Sequence, residues 1–187
     1  MLIRFGTRDD AERIAVLHTN SWLTAYAGIM PTSYLNGPLL DERRTMWNTR
    51  LTTVAPEQDH TSCLLVAVED TALLGFVYLT LQADGRILLD NLHVQPGRKR
   101  SGIGRQLMHH AFTWATTRHP GKAVYLEVLH DNASAIAFYR RLNGHPTKEF
   151  IERFPAGFEL PVVECAWNPD AVRSLADHRS TSDRLAF

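Results

Sequence analysis

The stretch LLDNLHVQPGRKRSGIGRQL, residues 88–107, passes from a strand pattern through a basic, glycine-containing loop directly into a helix pattern. The first amide groups of a helix lack partners within the helix, and the helix dipole adds positive charge, so oxygen anions are stabilised there. Gly102 and Gly104 allow a close approach of the backbone to a ligand. Positive charge around them comes from Lys99, Arg100 and Arg105. The stretch predicts a phosphate-binding loop, with a plain turn and a solvated helix cap as the alternative.

Two other phosphate-binding motifs do not fit this loop. A dinucleotide fingerprint needs a third glycine three residues after the second, and the chain has Leu107 at that position. A Walker loop needs Gly-Lys-Ser/Thr after a gap of four residues from its first glycine, and no such sequence occurs here. A nucleotide-binding fold of either kind is therefore not predicted.

The regions on either side of this stretch predict an alternation of helices and strands. Before it we expect a strand at 2–5, helices at 9–25 and 41–51, a polar loop at 55–62, and a hairpin of strands at 63–68 and 73–79. The strand at 86–94 continues this meander; a helix follows from Gly102 to about 118, then a strand at 123–129, a helix at 133–142, and strands at 146–152 and 161–167. Because crossover connections through a helix join parallel strands, the strands at 86–94 and 123–129 should be parallel.

Length and composition indicate one globular domain. With 187 residues, we expect a single domain over 1–167 and a tail or short appended helix over 168–187. Lys plus Arg equal Asp plus Glu at 20 each, so a nucleic-acid partner is disfavoured. The N-terminus lacks the apolar core of a signal peptide and no apolar run could span a bilayer, so we expect a soluble, cytoplasmic protein without a membrane partner. Cys63 and Cys165 lie in apolar segments, which favours buried thiols.

Two motifs resemble the GNAT superfamily of N-acetyltransferases. Residues 92–107 resemble its acyl-CoA-binding motif, a strand ending in apolar-x-Val, then Pro, then Arg/Gln-x-x-Gly-x-Gly/Ala opening a helix. Residues 125–144, YLEVLHDNASAIAFYRRLNG, are similar to its strand–Asn–helix segment. The chain departs from the pattern at Lys99, where Arg or Gln is preferred, and at Arg100 and Asn143, where Gly is common.

The resemblance implies both a fold and an activity. The fold is α/β: a central, mostly antiparallel mixed sheet with one parallel, splayed pair of strands, flanked by helices on both faces. The activity is transfer of an acetyl group from acetyl-CoA, the acyl-donor substrate, to a primary amine by direct attack in a ternary complex. The acceptor is a small-molecule or peptide amine, with a protein N-terminus or Lys side chain as the alternative class. A non-catalytic acyl-CoA-binding sensor or scaffold is the rival function, and a homodimer is left open.

The same resemblance assigns residues to the acyl donor. The set consists of Leu92, His93, Val94, Lys99, Arg100, Ser101, Gly102, Ile103, Gly104, Arg105, Asn132 and Tyr139. Main-chain groups at Leu92 and Val94 would hold the pantetheine arm as an added strand would, and the Val94 amide would donate to the thioester oxygen. Asn132 contacts the cofactor in relatives, and as a plain helix N-cap it has an equally simple interpretation.

Acetyl transfer to an amine needs a proton acceptor and gains from a proton donor. Tyr139 matches the family's conserved tyrosine and is the predicted acid for the departing thiolate, with core packing as the alternative. Glu127 is the predicted base because it lies inside an otherwise apolar strand, where an unpaired carboxylate is costly. A solvated or ion-paired carboxylate is the alternative interpretation of Glu127. Asp90, and less so His93, compete for the role of the base.

Two other patterns concern the histidines and the first predicted helix. Nine histidines are present, but His109 and His110 are adjacent and project about 100° apart on a helix, and no His-x3-His pair accompanies them, so no metal is predicted. Trp22 and Tyr26 lie at i and i+4 on the first predicted helix, where they either line the acceptor site or pack in the core.

Overall fold

The computed structural model describes residues 1–51 and 60–177, so most of the polar loop predicted at 55–62 lies outside the described residues. The strands are β1 (Leu2–Phe5), β2 (Ser62–Glu69), β3 (Ala72–Leu81), β4 (Ile87–Val94), β5 (Val124–Leu129), β6 (His145–Arg153) and β7 (Glu159–Trp167). The helices are α1 (Ala11–Ala25), α2 (Thr32–Leu35), α3 (Leu39–Arg50), α4 (Ile103–Arg118), α5 (Ala133–Arg141) and α6 (Pro169–Asp177). No helix in these two ranges combines the length and the apolar character needed to cross a membrane.

The strands form one mixed sheet in the order β1-β2-β3-β4-β5-β7-β6. All neighbouring pairs are antiparallel except β4 and β5, which are parallel, so the predicted mixed sheet and the predicted parallel pair are confirmed. β7 lies between β5 and β6, and its central residues are buried, whereas β6 is polar and forms an edge. A polar edge strand is the usual protection against pairing with another chain.

The parallel pair opens along its length. Only two register positions join the strands, Ile87 with Val124 and Leu88 with Tyr125. Beyond them β4 carries a bulge at Asp90, where its pairing with β3 shifts by one residue. A bulge bends the strand that contains it. The second half of β4 therefore pairs with β3 only, and a gap separates it from β5.

Helices cover both faces of the sheet. α4 packs on one face, where Leu107, Phe112 and Trp167 are fully buried. α1 and α3 pack on the other face around Trp47 and Phe76. Apolar positions at helical spacing on α4 and α1 account for this arrangement, since each helix buries one stripe.

Two short helices complete the fold. α2 was not predicted because four residues are too few to show helical spacing, and Pro31 immediately precedes its first turn. α6 occupies the first half of the predicted tail and packs on α4, where Val172 is buried and the Leu175 carbonyl lies 2.9 Å from His109 Nδ1. Residues 178–187 lie outside the described residues.

Candidate active site

The loop between β4 and α4, called the nest below, contains two residues with positive φ, a feature of anion-binding nests. A short 3-10 turn at Pro96–Arg98 is followed by two residues with positive φ, Arg100 at 66° and Gly102 at 87°. Residues of alternating handedness turn successive amide N–H groups toward one point. Arg100 takes this conformation despite its side chain, at a cost of about 1–2 kcal/mol. The position where glycine is common in the family thus keeps the backbone shape that glycine would give.

The start of α4 has room for a ligand. A Cβ atom added at Gly102 would meet nothing within 4 Å, and one at Gly104 would make only ordinary contacts, 3.5 Å to Phe138 Cζ and 3.7 Å to Val94 Cγ2. Three exposed cations surround this site without an ion-pair partner in the described part of the chain, Lys99, Arg100 and Arg105. These residues fit a diphosphate, because amide donors, helix dipole and unpaired cations all favour an anion there.

The main chain of β4 continues from this nest into the gap. The amide of Gln95 donates to the Leu74 carbonyl on β3 at 2.8 Å. Main-chain groups alternate in direction along a strand. The amide and carbonyl groups of Leu92 and Val94 therefore point away from β3, toward the gap beside β5, while those of His93 point toward β3. The side chain of Ile103 is buried in the core, and Ser101 Oγ donates to the Arg98 carbonyl at 2.6 Å.

Tyr139 lies inside the core at the end of α5. Its ring is 8% exposed and makes an edge contact with Trp167, with ring centroids 6.0 Å apart. Burial raises the pKa of the Tyr139 hydroxyl, and the nearby Tyr26 and Cys165 raise it further. The hydroxyl therefore stays protonated across the neutral range, as a proton donor must. Packing and proton donation are compatible for this side chain.

Glu127 is exposed on the face of the sheet that α1 and α2 cover. It pairs across the strands with Glu164, and no ion pair involves it among the described residues. Partial burial raises the pKa of Glu127, and the negative charges of Glu152 and Glu164 add to the effect. A carboxylate with a raised pKa accepts a proton more readily, which suits a general base.

The competing candidates for the base differ from Glu127 in their partners. Asp90 Oδ2 lies 2.7 Å from Arg50 Nη2 and accepts a hydrogen bond from Asn91 at 2.8 Å. His93 Nδ1 lies 2.9 Å from Ser21 Oγ. Burial, with the charges of Arg43 and Lys99, lowers the pKa of His93 to about 3, so the ring is neutral and a weak proton acceptor near pH 7.

Asn132 caps α5, since its side-chain oxygen accepts a hydrogen bond from the Ala135 amide at 3.2 Å. Its contact with the acyl donor remains a prediction.

Sequence reasoning missed a group of buried polar side chains on the other face of the sheet. Arg43, on α3, is 9% exposed and lies over the Trp22 ring, and His18, on α1, is 2% exposed. The sequence does indicate that Arg43 is buried, because it lies on the same stripe of α3 as Leu39 and Trp47, four residues away on either side. Among residues 1–51 and 60–177, no group of three or more His, Cys, Asp or Glu side chains could hold a metal ion.

The acetyltransferase (GNAT) family model matches residues 23–144 of the chain. The chain is 40% identical to streptothricin acetyltransferase of Streptomyces lavendulae over 90 residues, which is 47% of each protein. It is 28% identical to the uncharacterized N-acetyltransferase YuaI of Bacillus subtilis over 171 residues, 90% of this chain and 92% of that one.

The fold is shared with solved structures. PaiA N-acetyltransferase from Thermoplasma acidophilum, in complex with coenzyme A, superposes with a TM-score of 0.69. It is 22% identical, and the match covers 87% of this chain and 96% of that one. At this identity the likeness concerns the fold.

Proposed function

Because the chain belongs to the acetyltransferase (GNAT) family and is an N-acetyltransferase that uses acetyl-CoA, we propose that it transfers the acetyl group to a primary amine by direct attack in a ternary complex. The observation that carries the proposal is the gap between β4 and β5, which opens after two paired positions and begins beside the nest at the start of α4. A chain with this arrangement can hold a diphosphate and an extended arm in one continuous site.

The donor site is built from main-chain groups and cations. The amides at 101–105 and the side chains of Lys99, Arg100 and Arg105 hold the diphosphate. The free main-chain groups of Leu92 and Val94 hold the pantetheine arm as an added strand would, and Asn132 lies at the start of the next helix. When bound, acetyl-CoA supplies an acetyl group activated as a thioester. The Val94 amide stabilises the negative charge that grows on the thioester oxygen during transfer.

Tyr139 and Glu127 divide the proton transfers between them. A primary alkylamine with a pKa of about 10 is protonated at neutral pH and must lose a proton before it can attack. Glu127 accepts that proton, directly or through one water molecule, and its raised pKa supports this role. Tyr139 donates a proton to the departing thiolate, and its buried, protonated hydroxyl supports that role.

Two alternatives keep the donor site but change the outcome. In the first, the chain is a non-catalytic acyl-CoA-binding sensor or scaffold; the presence of both Tyr139 and Glu127 favours the enzyme. In the second, the acceptor is a protein N-terminus or a Lys side chain. The similarity to a streptothricin acetyltransferase makes small-molecule amines of that kind the first acceptors to test.

The proposal is tested by measuring CoA release from acetyl-CoA with a panel of primary amines. The panel contains streptothricin, amino sugars, polyamines, amino acids, and peptides with a free N-terminus or Lys. We expect CoA release that requires one class of amine and saturates with its concentration. Tight binding of acetyl-CoA without release of CoA above background, for every amine tested, would instead support the sensor.

A further inference from the structure

Arg43 is a buried cation without an anion. Its side chain is 9% exposed, and its Nε and Nη2 atoms have no hydrogen-bond partner among the described residues. The guanidinium lies over the Trp22 ring, with Cζ 4.1 Å from the ring centroid, but a ring face cannot satisfy N–H donors lying in the guanidinium plane. The neighbouring Arg44 is exposed and pairs with Glu12 and Asp41. In α3, the solvent-facing Arg44 thus has ion-pair partners, whereas the buried Arg43 has none in the described part of the chain. Burying an unpaired charge is costly.

The unsatisfied atoms of Arg43 define the shape of the missing partner. Nε–H and the Nη2–H beside it form one edge of the planar guanidinium fork. Two parallel donors on such an edge match the two oxygens of a carboxylate. A carboxylate bound in a bidentate manner therefore fits this edge.

His18 adds a third donor to the same region. The Trp47 indole N–H, which can only donate, bonds to His18 Nδ1 at 3.2 Å. The neutral His18 ring therefore carries its proton on Nε2, and that buried atom has no partner among the described residues. The His18 ring makes an edge contact with Trp22, at 5.6 Å between centroids. The side chains of His18 and Arg43 both contact Trp22, and their buried unsatisfied atoms are all donors, so an acceptor group is what the region lacks.

This region adjoins the site of acetyl transfer. The Trp22 ring contacts Tyr26, with centroids 5.0 Å apart, and Tyr26 is close enough to Tyr139 to influence its hydroxyl. The His18 ring lies 4.4 Å from that of His93, on β4. α1 and α3 lie on the face of the sheet opposite α4, where the diphosphate site begins. A group held by Arg43 thus approaches the gap from the side left open by the acyl donor.

We propose that Arg43, with His18, binds a carboxylate of the acceptor, so that the acceptor is a small amine that also carries a carboxylate, as an amino acid does. This inference rests on the proposed function, because it names the substrate class of the same site. Glu127, which is in no ion pair among the described residues, supplies negative charge for the ammonium end, while Arg43 supplies positive charge for the carboxylate end. The Arg43 nitrogens are covered in the absence of an acceptor, so binding requires the side chains around them, Trp22 among them, to shift.

The experiment compares matched amines that differ only in the carboxylate. Each L-amino acid is assayed with acetyl-CoA beside its amide and its decarboxylated amine, and kcat/KM is measured from CoA release. We expect the carboxylate-bearing member of the preferred set to exceed both relatives by roughly 10²-fold, the effect of one bidentate charged contact. Arg43→Gln should abolish that preference with the KM for acetyl-CoA unchanged, whereas Arg44→Gln should retain it.

A second measurement separates ligand binding from folding. If Arg43 serves a ligand, Arg43→Met should unfold at the same Tm as wild type or at a higher one, because a buried unpaired cation is replaced by an apolar chain of similar size. A marked fall in Tm for both the Met and the Gln variants would show that Arg43 stabilises the fold instead, and would overturn the inference.

The outcomes distinguish this inference from the proposed function. Equal or better turnover of the amides and decarboxylated amines overturns the carboxylate site and leaves the acetyltransferase standing. Turnover confined to amines without a carboxylate, such as polyamines, also overturns the carboxylate site and leaves the acetyltransferase standing. No CoA release with any amine, despite binding of acetyl-CoA, overturns both.

Discussion

The Tyr139 hydroxyl can be removed without disturbing the packing of the ring. The ring is buried against Trp167, and phenylalanine has the same ring. If the hydroxyl protonates the departing thiolate, Tyr139→Phe should lower kcat by roughly 10²- to 10⁴-fold. The Kd of acetyl-CoA should change little, since the proposed contacts to the diphosphate and the pantetheine arm remain. Steady-state kinetics and titration calorimetry measure the two quantities.

Tyr125→Phe is the matched control for this substitution. Tyr125 is also 8% exposed, but it lies on β5 under the Arg86 guanidinium, at 3.9 Å from Cζ to the ring centroid. Its variant should keep the wild-type kcat. A wild-type kcat in Tyr139→Phe would reject the proposed acid and leave that side chain with a packing role.

Glu127 should control the acidic limb of the pH profile. A general base works only when deprotonated, so the rate rises as pH passes through its pKa. An ordinary carboxyl group has a pKa of about 4. Because burial, Glu152 and Glu164 raise the pKa of Glu127, this limb should lie at a higher pH than that of an ordinary carboxyl group. Glu127→Gln should lower kcat/KM at neutral pH and remove this limb.

The control for Glu127 is Glu149→Gln. Glu149 is exposed on β6 and lies on the opposite face of the sheet, since it pairs with Val163 rather than Glu164. Its variant should keep both the rate and the limb. If Glu127→Gln keeps the limb unchanged, Asp90 or water is the base.

The residues proposed for the donor site could be named from the sequence because they are local. Gly102, Gly104 and the cations between β4 and α4 lie within a few positions of one another, so a single stretch of sequence contains the whole candidate loop. Arg43 and His18 could not be predicted in this way. Their unsatisfied donors result from packing α3 against α1, which brings together side chains 25 positions apart in the chain.

Among the helices and strands, the start of α4 should matter most for the binding of acetyl-CoA. Gly104→Glu places bulk and negative charge on the first turn of the helix, where the diphosphate should bind. We expect calorimetry to detect no binding of acetyl-CoA to this variant. Thr113→Glu adds the same charge to an exposed position farther along α4 and should bind normally. Unchanged affinity in Gly104→Glu would contradict the predicted location of the diphosphate.

The junction of β1 and α1 depends on Asp10. This buried carboxylate accepts hydrogen bonds from Arg4 at 2.7 and 2.9 Å, from the Thr7 amide at 2.9 Å, and from Arg13. Burial alone would raise its pKa, but these hydrogen bonds outweigh burial and lower the pKa to about 2.

Asp10 should therefore stabilise the fold in a pH-dependent manner. A lowered pKa contributes stability that is complete above the unfolded-state pKa of about 3.9 and disappears as pH falls toward 2. The contribution is about 2 kcal/mol at neutral pH. Asp10→Asn should lose this amount in urea denaturation at pH 7, and its disadvantage should shrink below pH 4. The exposed neighbour Asp9 offers the control, since Asp9→Asn should unfold like wild type at both pH values.

Most elements followed from spacing and composition, and the exceptions have physical reasons. The β4–α4–β5 unit was predicted, including its parallel pairing, because a crossover helix leaves little choice of topology. The position of β7 between β5 and β6 was not predicted, since a hairpin can join a sheet through either strand. The apolar residues of β7 and the polar residues of β6 decide it.

On the scale of the whole molecule, the sheet separates two tasks. α4 and the nest lie on one face, and α1 and α3, with Arg43, lie on the other. The gap between β4 and β5 is the place where groups from the two faces can meet. The donor side is encoded in one stretch of sequence, whereas the acceptor side is assembled from helices distant in the chain. This difference explains why the sequence predicts acetyl-CoA and leaves the acceptor open.

A crystal structure of the protein with bound coenzyme A tests the proposed donor site. We predict that the diphosphate contacts the amides of residues 101–105, and that the pantetheine arm lies between β4 and β5 with hydrogen bonds to Leu92 and Val94. A closed gap between these strands, or a nucleotide bound elsewhere on the molecule, would contradict it.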